Sequence, residues 1–312
     1  SEIILRSREF CNLSEVVIRR EDTRESLKEK VRIATIIGTF QSTLTEFKYL
    51  SREWKRNCEE ERLLGVSLTG IMDNSLTNGS KKGLENFLED LKDVAYETNK
   101  EWADKLGINS AAAITCVKPS GTVSQLVDSS SGIHARHNPY YVRTVRADNK
   151  DPLCKMMKKE GFPNEPDVNK PDHTTVFSFP AKSPRGAICR NDMTAWKQLS
   201  LWHTYAKEWC EHKPSVTISV KEDEWVNTAA WVYENFDDIS GISFLPFSDH
   251  SYRQAPYQDC TEKEYKELVK QMPKNVNWGT LAEYETKDYT SASQEFACTS
   301  AGGCELVDIT PA

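Results

Sequence analysis

The chain predicts an α/β fold with a parallel sheet, and three observations carry that expectation. Three short apolar runs, CNLSEVVIR, LLGVSLTGI and AAAITCV, are separated by two long stretches in which apolar residues recur at helical spacing. Strand, helix, strand, helix, strand is the order of a parallel sheet with crossover helices. The alternation resumes late in the chain, where PSVTISV, a helical segment and GISFLPF follow one another. In such folds, ligand sites collect at the carboxyl ends of the strands.

The elements follow from local pattern. Residues 1–19 hold a short apolar run, a charged turn at 7–9, and a strand that enters the core through Val16 and Ile18, with Cys11 at its mouth. Thr23 caps a helix over 23–49, with Glu25 in the first turn and Leu27, Val31, Ala34, Ile37, Leu44 and Phe47 at helical spacing. Gly38 marks a kink or a close helix contact. Residues 59–62 form a solvated face, and 63–71 read as a core strand. A second amphipathic helix over 81–106 carries Leu84, Phe87, Leu88, Leu91, Ala95 and Trp102 and is closed by Gly107. The strand over 112–117 comes next. Between 149 and 190 the composition shifts toward Pro, Asp, Asn and Lys, with HTTVFSFP as its one clear strand, which marks an excursion or subdomain edge. Asn191 caps a helix running to about residue 211. PSVTISV is then a strand, 222–236 a helix, GISFLPF a strand, 248–260 a polar and aromatic loop, and 261–272 a short helix.

The 312 residues, 38% of them hydrophobic and 28% charged, suffice for one large domain or two modest ones. A formal net charge of -7 and no dense Lys/Arg tract exclude a duplex nucleic-acid binder, although a basic patch at Arg136, Arg143 and Arg146 suits one nucleotide. No apolar run is long enough for a membrane span and no signal-peptide pattern opens the chain, so a soluble, cytoplasmic protein is expected. The start, SEIIL, has no initiator methionine and reads as that of a fragment or a processed product. Nine scattered cysteines are an odd count without a disulfide framework, which makes most of them small buried hydrophobes or free thiols. Cys11 at one end and Cys298 with Cys304 at the other stand out as a fixed thiol and a tail pair suited to thiol exchange. CTSAGGCELVDITPA could also be half of a zinc knuckle, but no second Cys/His pair at metal spacing accompanies it, and no metal is expected.

The stretch AAAITCVKPSGTVSQLVDSSSGIHARHNPYYVRTVR over 111–146 runs from a strand through Pro119, Ser120, Gly121 and Thr122 into a helix start. Such a turn aims backbone N–H groups and hydroxyls at one spot, a place for an anion such as a nucleotide phosphate. The same spacing is also that of an ordinary strand-to-helix connection. It is no Walker sequence, because no Gly-Lys-Ser/Thr follows.

Seven stretches in order, SEIILRSREFCNLSEVVIR, ERLLGVSLTGIMDN, CVKPSGTVSQL, SSGIHARHNPYYVRTVR, CEHKPSVTISV, GISFLPFSDHSYRQAPYQDC and ACTSAGGCELVD, resemble the carboxyl-terminal part of class II, adenosylcobalamin-dependent ribonucleotide reductases of the phage and cyanobacterial kind. The resemblance covers essentially the whole chain. It implies an α/β fold that is the second half of a ten-stranded α/β barrel, a parallel half-barrel over 1–285, followed by a mobile redox-active tail over 286–312. The finger-loop motif Asn-Pro-Cys-x-Glu-Ile is matched only in Ser1, Glu2 and Ile3, so the radical cysteine would immediately precede Ser1. A serine there is the first residue downstream of a known intein position, which implies a gene split at an intein.

The resemblance also implies roles. Glu2 would handle the proton of the substrate 3′-hydroxyl. Cys11 would be one of two cysteines that reduce the 2′ position, its partner lying in the N-terminal portion. Pro119, Ser120, Gly121, Thr122, Val123 and Ser124 would hold the substrate phosphates, and Cys298 and Cys304 would re-reduce the active-site disulfide, recharged by a thioredoxin-like or small dithiol reductant. The cofactor would be adenosylcobalamin, with His134 and His137 the candidates for contact with the corrin. The reaction implied is reduction of ribonucleoside triphosphates, or diphosphates, to 2′-deoxyribonucleotides, active only with the N-terminal portion. The alternative is a nucleotide-binding assembly subunit without radical chemistry.

Overall fold

The computed structural model describes residues 2–247 and 252–286. In chain order its helices and strands are β1 (Asn12–Val17), α1 (Arg24–Gln41), α2 (Arg52–Glu61), β2 (Leu64–Thr69), α3 (Leu84–Leu106), β3 (Thr115–Cys116), α4 (Gly121–Leu126), β4 (Tyr140–Asp148) and α5 (Pro152–Lys159). There follow β5 (Asn164–Pro166), β6 (Thr174–Lys182), α6 (Ala195–Glu208), β7 (Val216–Val220), α7 (Trp225–Glu234), β8 (Ile242–Pro246), β9 (Tyr257–Asp259) and α8 (Glu262–Gln271). They divide into two compact units: Ser1–Arg136 with Pro184–Phe247, and His137–Ser183 with the described part of Ser248–Ala312. Among the described residues no helix is long and apolar enough to cross a membrane.

In the first unit β1, β2 and β3 form a parallel sheet in that order. The central strand β2 is buried at all 6 positions, as a strand covered on both faces must be. The crossover α1 starts at Thr23, whose hydroxyl accepts from Ser26 N while the Ser26 hydroxyl accepts from Thr23 N, a capping box with serine at the third position. The helix stops at Gln41 rather than near residue 49, because the hydroxyls of Ser42 and Thr43 turn back onto the carbonyls of Thr39 and Phe40, each at 2.7 Å. The second crossover, α3, ends as expected at Gly107, which is left-handed (φ 65) and returns its N–H to Ala103 and Asp104. α6 is capped by Thr194 and not Asn191, which lies in a preceding 3-10 turn. Its fully buried Trp202 and Tyr205, with Trp209 just beyond, centre the core. Each spends its polar atom on a backbone carbonyl at 2.8 Å: Trp202 on Pro214, Tyr205 on Thr77 and Trp209 on Cys116.

The half of a ten-stranded barrel expected from the family resemblance is not what the described strands form. They make three open sheets: parallel β1-β2-β3, antiparallel β5-β6-β4-β9, and parallel β7-β8. The physical reason for one interruption is local. β3 is only 2 residues long, and beyond it Val117 meets Pro214 in an isolated parallel bridge. Val117 donates its N–H to Lys213 O at 3.4 Å and its carbonyl accepts from Ser215 N at 2.8 Å, but the next residue in line to donate, Pro119, has no N–H to extend the ladder, so β3 and β7 do not join.

The second unit contains the antiparallel sheet, centred on β4 and β6, which pair from Tyr140↔Lys182 to Asp148↔Thr174. Its small core joins Cys154, Met157, Phe162 and Phe177. The redox-active tail expected over 286–312, with Cys298 and Cys304, lies outside the described residues except for residue 286.

Candidate functional site

Glu15, Ser67 and Cys116 stand in register across β1, β2 and β3. The segment leaving β3 folds over this row. Lys118 donates its backbone N–H to Ser67 Oγ at 2.9 Å, and Ser120 donates its hydroxyl to Glu15 Oε2 at 2.7 Å. Lys118 then extends its ammonium to Glu2 Oε2 at 2.9 Å. Glu2 is further held by its own backbone carbonyl, which accepts from Lys213 N at 2.9 Å.

The two carboxyls are tuned in opposite directions. Burial alone would raise Glu2, but the hydrogen bond and charge of Lys118 reverse that and hold its carboxyl below the ordinary value. Burial dominates at Glu15 and raises it, with the Ser120 and Ser67 hydrogen bonds offsetting only part. Of the two, Glu2 is the carboxyl held toward its ionised form, and Glu15 accepts from the hydroxyl of the turn.

Cys11 lies beside the same strands as a free, half-buried thiol. Gly65 makes the room for it: a Cβ at 65 would stand 3.1 Å from Cys11 Sγ and 2.4 Å from Leu13 Cδ2. Burial pushes the Cys11 thiol up to about 12, with Lys118 pulling weakly the other way. Burial pushes the Cys116 thiol up as well. A thiol so protonated is a poor nucleophile at neutral pH but keeps its S–H hydrogen.

Residues 119–124 form a tight turn into α4. Ser120 is left-handed (φ 54) without being glycine, a conformation that costs about 1 kcal/mol and is secured by its bond to Glu15. Ser131 donates to Pro119 O at 2.7 Å, and Gly132 (φ 54) sits where a Cβ would come within 2.5 Å of Lys118 O. The loop that follows is clamped by Arg136, which is 4% exposed. Its guanidinium grips Asp73 through Nε at 2.9 Å and Nη2 at 2.8 Å, and Asp128 through Nη1 at 2.9 Å. Arg136 is thus a structural clamp rather than part of a nucleotide-binding patch. In the second unit, Arg143 donates to Pro256 O and Arg146 to Asp167 and Gln254, so these guanidiniums also serve the fold.

The two histidines expected as candidates for corrin contact already have partners at their rings. His134 is half-buried, its Nδ1 lies 2.9 Å from Ser131 O, and its Nε2 accepts from Thr217 N at 2.9 Å, which spends both ring nitrogens. Burial also lowers its pKa. In the second unit His137 Nε2 lies 2.8 Å from Asp259, with the ring stacked on Tyr257. No step is assigned through a corrin on these residues.

Sequence reasoning singled out Glu2, Cys11 and the turn at 119–124. It missed Lys118, Glu15, Ser67 and His212. Lys118 was visible in CVKPSG as the only charge between the strand and the turn.

No family model matches the chain. The adenosylcobalamin-dependent ribonucleoside-triphosphate reductase of Euglena gracilis is 28% identical over 277 residues, covering 88% of this chain and 37% of that protein. The enzyme of the same description from Lactobacillus leichmannii is 25% identical over 306 residues, covering 88% and 41%. A crystal structure of a B12-dependent (class II) ribonucleotide reductase shares the fold, with a TM-score of 0.77 at 22% identity over 92% of this chain and 43% of that one. The chain is a homologue of the ribonucleotide reductases. Within them it is related to class II, the B12-dependent branch. It spans less than half the length of these relatives.

Proposed function

We propose that this chain supplies the carboxylate, one reducing thiol and the phosphate-binding turn of a ribonucleotide reductase, acting on ribonucleoside triphosphates together with an N-terminal portion that carries the radical cysteine. The carrying observation is the Lys118 bridge, which ties the Glu2 carboxylate to the residue that opens the Pro119 turn. Glu2 accepts the 3′-hydroxyl proton, a role that requires it ionised. Cys11, protonated by burial, gives hydrogen to the 2′ position. The C2′–O bond breaks, the hydroxyl leaves as water, and the two electrons come from Cys11 and a second thiol of the N-terminal portion, which end as a disulfide.

Residues Pro119, Ser120, Gly121, Thr122, Val123 and Ser124 bind the phosphates, and a Cβ at Gly121 would meet nothing within 4 Å, which leaves that backbone open to an anion. Cys298 and Cys304 return the disulfide to thiols using a thioredoxin-like or small dithiol donor. The relatives are adenosylcobalamin-dependent by their names, and this reading takes the same cofactor as the radical source of the assembled enzyme. Residues 1–285 form the catalytic portion and 286–312 the reducing tail. Combining the chain with the N-terminal portion, adenosylcobalamin and a dithiol, and measuring deoxyribonucleotide formation, tests the reading. An associated, folded pair without turnover overturns it.

A further inference from the structure

His212 joins three separate pieces of backbone, two through its ring and one through its backbone N–H. It is 5% exposed. Ile4 N donates to His212 Nδ1 at 3.3 Å, and His212 Nε2 lies 2.7 Å from Leu64 O in β2. Its own N–H goes to Thr115 O at 3.0 Å, and the next residue, Lys213, donates to Glu2 O at 2.9 Å. A backbone N–H can only donate and a carbonyl can only accept. The two contacts together therefore require a lone pair on Nδ1 and the proton on Nε2, the neutral imidazole.

From this geometry we infer that His212 is a positioning residue: as the neutral Nε2–H tautomer it latches the segment bearing Glu2 onto β2 at Ile4, and its protonation opens that Ile4 contact. A proton on Nδ1 would face the Ile4 N–H, donor against donor, and the bond to Ile4 would be lost. Leu64 O would keep its donor, so the release is one-sided: the Ile4 amide is freed while the sheet and the bonds of Lys213 and Lys118 to Glu2 stay in place. Burial favours the neutral ring, while the backbone carbonyls of Leu64 and Ala113 and the Glu211 carboxylate, which accepts from Ile114 N at 2.8 Å, act in the other direction. The Lys118 to Glu2 pair forms beside the latch, on the same segment.

The functional meaning of the latch rests on the reading of Glu2 as proton acceptor, but the latch itself is testable without turnover. In the ¹⁵N-histidine-labelled chain, the His212 ring should show the Nε2–H neutral pattern at neutral pH. The Ile4 amide should be protected from hydrogen exchange, and its protection factor should fall at least tenfold as pH drops through the His212 titration. His212→Ala should remove that protection at all pH values, and His212→Gln, which can accept and donate in the same directions, should restore it in part without the pH dependence. Amides in α3 and α6 should be unchanged throughout. A protonated ring at neutral pH, the Nδ1–H tautomer, or Ile4 protection indifferent to His212 titration overturns the proposal. If His212→Ala does not fold, the tautomer and the wild-type titration still decide it. Loss of turnover with an intact latch would count against the reductase reading instead.

Discussion

The Lys118 ammonium and the Glu2 carboxylate meet at 2.9 Å across 116 residues of sequence. Burial raises this partly buried carboxyl, and the hydrogen bond from Lys118 is the largest of the influences that hold it below its ordinary value.

Replacing Lys118 with Met should therefore raise the Glu2 carboxyl above its ordinary value, as followed by carboxyl NMR through an acid titration. The sign of the stability effect follows. A carboxyl held low in the folded state contributes stability that is present above its unfolded value and is lost as pH falls through the folded one. The wild-type advantage over Lys118→Met should be full at neutral pH and should close in acid. An advantage that persists unchanged to low pH would mean that Lys118 stabilises by packing alone.

Cys11 should be slow to alkylate. With its thiol pushed up to about 12, mapping of iodoacetamide adducts should find it at least about tenfold less reactive at neutral pH than in the denatured chain. Its rate should go on rising with pH after the denatured thiol has levelled off. Equal rates in both states would contradict the burial assigned to it.

Gly132→Ala should cost about 1–3 kcal/mol, since it combines a left-handed backbone with a Cβ placed 2.5 Å from a backbone oxygen that cannot swing aside. Gly107→Ala, also left-handed but with nothing within 4 Å, serves as the control. Denaturant unfolding should show the larger loss at 132.

Arg136→Met leaves Asp73 buried with one backbone donor, Ser130 N at 2.9 Å, and should cost about 3–5 kcal/mol. Asp73→Leu combined with Arg136→Met should recover part of that loss. Two independent, additive losses would refute the clamp.

Local pattern made much of the first unit legible. The 3.6-residue spacing of Leu84, Phe87, Leu88 and Leu91, and the stop at Gly107, needed no distant partner. β1 and β2 were visible as apolar runs. β4 was missed because Arg143 and Arg146 give it the look of a basic loop, whereas one lies over the Tyr257 ring at 4.5 Å and the other pairs with Asp167. The barrel was expected from kinship alone, and nothing local announced that the pairing would stop at the single bridge between Val117 and Pro214. Lys118 and His212 were hidden for another reason: their partners lie 116 residues away at Glu2 and 208 away at Ile4, and periodicity carries no information over such distances.

The most direct test is reduction of a ribonucleoside triphosphate by this chain assembled with the N-terminal portion, supplied with adenosylcobalamin and excess small dithiol. The wild-type pair should form deoxyribonucleotide, and Cys11→Ser or Glu2→Gln should each lower product formation by at least about a hundredfold while the pair still associates. Product formation undiminished by both substitutions would contradict the roles assigned to Glu2 and Cys11.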